Sequence, residues 1–542
     1  MTQCNHPKSA YLSSTFSQLL LAVLSGILLF LASPGTFSFA PCAWVALVPL
    51  FLAIQQASSP RKAAFIGLVC GAVYYISLLY WIVIVLGTYG YLHWSISTLA
   101  LLLLSLYMSC YLALFAYGLK WTLPVFPPVF SAPLLWVALD LVRGRLFTGF
   151  PWMDLAYTQY RFSHVIQIAD IFGHYGVTFL IVMVNGLVSY LLFQFLKKKA
   201  LNSKPATQNS HMVFFAYLLS AALLIIGSFT YGMFRIEHVS RLTTEAATAS
   251  LAVVQGNIDQ DRKWKPGMQM KTIDSYIHLS ERALKKGEID LIIWPETALP
   301  FFPLESPFAS ELTQRLILPN RIELLTGAPH RHQVGENSSP RYYNRALLFS
   351  AAGAITGAYD KLHLVPFGEY IPFRRFLPFA APVVETMADF SPGASAAPIS
   401  CQTAQIGVLI CFESIFPELA RHQVEQGADL LVNITNDAWF GRSSAPWQHL
   451  SMAVFRAVET RRSLARAANT GISAFIDPLG RLTRTSPLFV PSFLTEELPL
   501  LTGTTFYVTA GHHFASLCLL LLIPGAMIVN VQKHRIRFSM RS

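Results

Sequence analysis

The chain has 542 residues, of which 53% are hydrophobic and 13% charged. Soluble globular chains carry about 25% charged residues, which excludes a wholly soluble protein. The net charge of +11 does not point to nucleic acid, because Arg61, Lys62, Lys197, Lys198, Lys199, Lys204, Lys533, Arg535, Arg537 and Arg541 sit in short loops and at the C-terminus; this is the distribution of the positive-inside rule, not a basic folded face.

Charged residues are missing between Lys8 and Arg61, Lys62 and Lys120, Asp170 and Lys197, and Glu497 and Lys533. A bilayer-crossing helix needs about 20 mainly apolar residues. Spans are therefore expected at 12–33, 39–56, 64–87, 94–118, 122–141, 172–195, 212–234 and 512–532. The first follows Lys8 as a signal peptide would, but it leads almost directly into the second and reads as an uncleaved anchor. The fifth contains Pro124, Pro127, Pro128 and Pro133 and runs into Asp140, Arg143 and Arg145, so a break or re-entrant segment is expected there. With eight spans the basic loops share one side, the cytoplasmic one, and both termini lie there. The loop from Val142 to Ile171 and the mixed-composition region then face outward. The expected division is a membrane bundle at 1–234, a soluble domain at 235–500, and a C-terminal span with a basic tail at 501–542.

Within the soluble region Ala252–Val254, Leu291–Trp294, Ile322–Leu325, Ala346–Phe349, Gln405–Ile410, Leu430–Ile434 and Ser473–Ile476 read as strands. Helices are expected near Met268–Lys286, Glu418–Gln426 and His449–Thr460. Buried strands alternating with helices imply a layered α/β domain. Of the seven cysteines only Cys401 and Cys411 fall in this domain, and no Cys/His spacing suits a metal; neither metal nor cofactor is expected.

Three short segments carry chemistry. In Leu291-Ile-Ile-Trp-Pro-Glu296 a carboxylate follows a buried strand, where partial burial can tune it as a general base. In Tyr359-Asp-Lys361-Leu-His363-Leu-Val-Pro-Phe-Gly-Glu369 a lysine with apolar neighbours can offer an ammonium to a developing oxyanion; His363 reads as structural. In Gln405-Ile-Gly-Val-Leu-Ile-Cys411-Phe412-Glu413 a cysteine ends an apolar strand and needs a base to become a thiolate nucleophile.

The order Trp-Pro-Glu, Lys-x-His-Leu-Val-Pro-Phe-Gly-Glu, Cys-Phe-Glu resembles the nitrilase, or carbon–nitrogen hydrolase, superfamily. So do Asn433-Ile-Thr-Asn436-Asp437-Ala-Trp439-Phe-Gly and Arg466-Ala-Ala-Asn469-Thr-Gly471. The resemblance implies a four-layer αββα sandwich and a catalytic set of Glu296, Lys361 and Cys411. A domain of that kind after seven spans and before one more resembles the apolipoprotein N-acyltransferase family across nearly the whole chain, as do Phe147-Thr-Gly-Phe-Pro-Trp152, Val254-Gln-Gly-Asn-Ile258 and Tyr342-Tyr-Asn344. That implies a bacterial inner-membrane enzyme working on the periplasmic side. Its acyl donor is a phospholipid, usually phosphatidylethanolamine, and its acceptor the α-amine of diacylglyceryl-cysteine apolipoproteins. It further implies supporting roles for Glu369 and Glu413, positioning Lys361 and the incoming amine, and substrate contacts from Trp264, Asn344, Phe412 and Trp439. Phe412 departs from the tyrosine often found after the nucleophile. The apolar segment Phe373–Val384, with Arg374 and Arg375, is expected to form a lid at the bilayer near phosphate groups. Two rival readings are a membrane-tethered amidase that hydrolyses the same thioester, and a transporter with an inactive outer domain.

Overall fold

The computed structural model describes residues 14–201, 208–265, 267–333, 339–372 and 389–539; the expected lid at 373–384 lies outside them. The N-terminal part is helical: α1 (Thr15–Ala32), α2 (Val48–Gln56), α3 (Pro60–Leu78), α4 (Trp94–Thr122), α5 (Pro128–Arg143), α6 (His174–Leu201) and α7 (Gln208–Glu245). Ser59 caps α3 by accepting from Lys62 N, with Pro60 in the first turn, where its missing N–H has no intrahelical partner to lose. Helices α3 and α4 approach closely because a Cβ at Gly67 would lie 2.4 Å from the Leu112 carbonyl oxygen, and one at Gly71 2.8 Å from Ser109 Cα.

Six of the described helices are long and apolar enough to cross a membrane: Thr15–Ala32, Pro60–Leu78, Trp94–Thr122, His174–Lys197, Phe215–Glu245 and His513–Arg535. The second expected span is instead divided into a 3-10 turn at Ala40–Trp44 and the short α2. The fifth is the 16-residue α5 with Pro133 inside it. The third stops at Leu78, after which Trp81–Ile84 and a wide turn at Val85–Tyr89 follow. Helix α7 runs on to Glu245, past the boundary expected at 235.

The rest, up to the last helix, is an α/β sandwich. One six-stranded sheet has the order β12-β1-β2-β3-β4-β5, from β1 (Thr248–Gln255), β2 (Leu291–Ile293), β3 (Glu323–His332), β4 (Arg341–Phe349), β5 (Ile355–Asp360) and β12 (Ser492–Pro499). The other has the order β11-β10-β9-β8-β7-β6, from β6 (Ile399–Ser400), β7 (Gln405–Ile410), β8 (Leu430–Thr435), β9 (Ser463–Ala468), β10 (Ala474–Ile476) and β11 (Leu482–Thr485). The central strands β1-β2-β3 and β7-β8-β9 are parallel and the outer ones antiparallel.

Leu251, Ile293, Leu348, Val408, Ile410 and Val432 fill the space between the sheets. Outside the first sheet lies α8 (Met268–Leu284), through Ile273, Tyr276 and Ile277. Outside the second lie α9 (Pro417–Glu425) and α10 (Ala445–Thr460). Their core is continuous with that of the helical bundle, so every residue of α10 except the partly buried Trp447 is buried. The last helix, α11 (His513–Ser539), packs on α5.

The two ends of the bundle differ. At one end Lys62 Nζ reaches Thr15 Oγ1 at 3.1 Å, Lys120 Nζ the Gln55 carbonyl at 2.7 Å, and Lys533 the Trp121 ring at 4.8 Å. At the other, Tyr80 OH accepts from Ser444 N at 3.0 Å, and Trp81 and Trp152 donate to Gln448 Oε1 at 3.2 and 2.8 Å. The sandwich therefore sits on the end opposite the basic one.

Candidate active site

Glu296, Lys361 and Cys411 each follow the C-terminal end of a strand, β2, β5 and β7 respectively. Pro295 stops β2 because it has no N–H for the ladder. Thr297 then turns back with φ +51°, in a turn so close to β3 that a Cβ on Gly327 would lie 2.4 Å from Thr297 N. Cys411 is itself left-handed, with φ +52°, and opens a 3-10 turn, Cys411–Ile415. Such a conformation is strained for a residue with a Cβ and needs support from around it.

Glu296 and Lys361 are almost fully buried and Cys411 partly so. Lys361 Nζ lies 3.5 Å from Glu296 Oε1 and 2.9 Å from Glu369 Oε1. Asn344 Nδ2 donates to both carboxylates, at 2.7 and 2.9 Å. The amide of Asn436 donates to Glu296 Oε2 at 2.9 Å. Burial works to discharge the Lys361 ammonium, but Glu369 and Glu296 outweigh it and hold its pKa above the usual lysine value. Burial, and next the charge of Glu296, push the Cys411 thiol upward, and Lys361 opposes them only in part. The resting thiol is thus held in its protonated form, with the charges of Glu296 and Lys361 acting on it in opposite senses.

Glu413 does not face this space. Its Oε1 accepts from Leu362 N, His363 N and Tyr359 OH at 2.6, 3.1 and 3.0 Å, and its Oε2 from Ile410 N at 2.7 Å. It ties the turn at Cys411 to the loop after Lys361. Burial raises its pKa to about 7 against the pull of these donors. His363 lies against the Phe416 ring, centroids 3.8 Å apart, and burial lowers its pKa. Phe412 stacks on Phe150 of the loop after α5 and lies against the Phe416 and His363 rings. Trp439 packs edge-on to Tyr89. Trp264 is half exposed and follows Lys263, whose Nζ is 3.5 Å from the Glu296 carbonyl; burial pushes that lysine down to about 8. The sequence offered no sign of Lys263, which lies in the polar run Asp259-Gln-Asp-Arg-Lys263. Among the described residues no group of three His, Cys, Asp or Glu is placed to hold a metal.

Comparison with known proteins fits both halves. The sequence model described as "Apolipoprotein N-acyltransferase N-terminal domain" matches residues 25–187, and that described as "Carbon-nitrogen hydrolase" matches 250–502. An apolipoprotein N-acyltransferase of Geobacter metallireducens is 44% identical over 514 residues, covering 94% of each chain. The chain belongs to the apolipoprotein N-acyltransferase family. Relatives of the same name from Pasteurella multocida and Methylococcus capsulatus are each 33% identical over more than nine-tenths of both chains. As a member of this family it is a membrane enzyme built on a carbon–nitrogen hydrolase domain, the architecture described above.

Proposed function

We propose that the chain transfers an acyl group from a phospholipid, through a thioester on Cys411, to the α-amine of the N-terminal diacylglyceryl-cysteine of apolipoproteins. The observation that carries this reading is the convergence of Glu296, Lys361 and Cys411 in a domain whose helical layer is continuous with a membrane bundle. A soluble amidase would have no use for that continuity, whereas two lipid substrates need it.

Glu296 accepts the thiol proton of Cys411 as sulfur attacks the ester carbonyl of the donor. The oxyanion that forms is met by the Lys361 ammonium. Collapse breaks the ester C–O bond, and the leaving lysophospholipid alkoxide takes the proton back from Glu296. The acceptor amine then attacks the thioester, gives its proton to Glu296, and expels the Cys411 sulfur, which is reprotonated as the amide forms. Covalent storage lets both bulky lipids use one pocket in turn. Glu369 holds Lys361 charged, and Asn344 spaces the two carboxylates.

Phosphatidylethanolamine is the donor expected in the bacterial inner membrane. The positive-inside rule favours the basic end of the bundle in the cytoplasm, and this supports a periplasmic side for the sandwich at the opposite end. Purified enzyme given phosphatidylethanolamine and a diacylglyceryl-cysteine peptide is expected to yield N-acylated peptide and lysophospholipid in equal amounts. Free fatty acid in place of acylated peptide would mean hydrolysis instead.

A further inference from the structure

Beneath the nucleophile lies a buried polar cluster that the reaction as described does not use. His449 Nε2, from α10, is 3.0 Å from the Cys411 carbonyl oxygen and 2.8 Å from Ser414 Oγ, and Ser414 donates to the same carbonyl at 3.1 Å. On the other edge, His449 Nδ1 is 3.0 Å from Arg466 Nη2 and 3.1 Å from Asp437 Oδ1. Arg466 donates to Asp437 Oδ2 at 2.8 Å, and Thr435 to Asp437 Oδ1 at 2.9 Å. All of these side chains are buried. Gly471 leaves room for the cluster, since a Cβ there would lie 2.3 Å from Asp437 Oδ2.

The Cys411 carbonyl only accepts, so His449 meets it with an Nε2–H. Nδ1 lies between a donor, Arg466, and an acceptor, Asp437. Burial and then Arg466 lower the His449 pKa, while Asp437 works against them; the ring offers the Nε2–H to the carbonyl whether it is neutral with its proton on Nε2 or charged.

We infer that His449 is a positioning residue that aims the Phe412 amide N–H at the oxyanion, by holding the Cys411 carbonyl from behind. In a trans peptide the C=O of one residue and the N–H of the next point in opposite directions. The Cys411 carbonyl points to α10, on the outer face of its sheet. The Phe412 N–H therefore points away from α10, toward the side of the other sheet, which carries Lys361. The left-handed φ of Cys411 is a conformation that relaxes unless its peptide is pinned, and two donors on one carbonyl pin it. A helix of the bundle-facing layer thereby sets an electrophilic group of the reaction centre.

This inference rests on the acyl-transfer reading, and the test separates the two. Full-length wild type, His449→Leu, His449→Gln and Ser414→Ala are each assayed for two rates in detergent. One is acylation of Cys411 by phosphatidylethanolamine, which develops an oxyanion; the other is alkylation of Cys411 by iodoacetamide, which does not. His449→Leu is expected to slow acylation about 100-fold, as misplacement of a reacting group does, and to leave alkylation within a few-fold. His449→Gln, whose amide reaches the Nε2 position, is expected to restore most of the acylation rate. Ser414→Ala is expected to show a smaller loss of the same selective kind, and it carries the test if His449→Leu does not fold. Equal acylation in the variants, or alkylation falling in step with acylation, would overturn the inference and leave the function standing. No acylation of the wild type would overturn both.

Discussion

The Lys361 ammonium lies 2.9 Å from the Glu369 carboxylate and 3.5 Å from that of Glu296. Glu369 is thus the nearer counter-ion of the lysine, and Glu296 is held mainly by Asn344 and the Asn436 N–H. Two carboxylates and one ammonium share a buried space, and the division of labour follows from distance.

Replacing Glu369 by Gln keeps its size and removes its charge. Lys361 then has only Glu296 as an anionic partner and draws it from the thiol. Acyl-enzyme formation is expected to fall by about 100-fold, the scale of lost general-base catalysis, with the protein still folded. Intact-mass time courses measure it; a loss under threefold would contradict the assignment.

Glu296→Gln is expected to separate two reactivities of Cys411. Burial and Glu296 both raise the thiol pKa, so in the wild type alkylation climbs about tenfold per pH unit between pH 7 and 9, following the thiolate fraction. Removing the carboxylate charge lowers the thiol pKa. Alkylation at a fixed pH should therefore hold or rise while acylation from phospholipid collapses. Lys361→Met should depress both, because it takes away the one charge that lowers the thiol pKa. Alkylation dropping in Glu296→Gln would show the electrostatic reading to be wrong.

Asn344 spaces Glu296 and Glu369 with its two amide hydrogens. Asn344→Asp has the same shape and sets a third carboxylate among the pair. Activity is expected to fall by at least about 100-fold, and more than in Asn344→Ala, whose gap admits water. The reverse ranking would contradict the account; kcat for both variants decides.

At the seam between bundle and sandwich, Arg143 contacts Asp140 at 3.0 Å, Tyr75 OH at 2.6 Å and the buried Asp154. Asp154 accepts in turn from His174 at 2.8 Å. Breaking such a pair leaves buried carboxylates uncompensated, at a cost of about 3–5 kcal/mol. Arg143→Ala is expected to lower the midpoint of thermal unfolding in detergent well below that of Arg61→Ala at the basic end. Arg143→Lys should not rescue it, since an ammonium lacks the planar fork.

Much of the site could be read in the sequence because its residues follow apolar strands: Leu291, Gln405 and Leu430 each open a run that is buried in the sandwich. Strand β9 escaped notice because Ser-Leu-Ala-Arg-Ala-Ala has the composition of a helix. Tertiary contacts decide it, with Arg466 buried against Asp437 and Asn433. The end of α7 was missed because charged residues from Arg235 onward mark the edge of a membrane, not the end of a helix. His449 gave no signal, because its partner lies 38 residues away across helix α9, strand β8 and the turns on either side. Periodicity reports which face is buried; it is silent about which polar groups meet there. Glu413 shows the same limit. Its place beside the nucleophile suggested a role toward substrate, yet its carboxylate is turned to four donors of the framework.

The most direct test of the covalent route is intact-mass spectrometry of the detergent-purified enzyme after incubation with phosphatidylethanolamine alone. The expected result is a gain of one acyl chain, absent in Cys411→Ala and discharged by a diacylglyceryl-cysteine peptide. The same adduct on Cys411→Ala, or release of free fatty acid with no adduct at all, would contradict it.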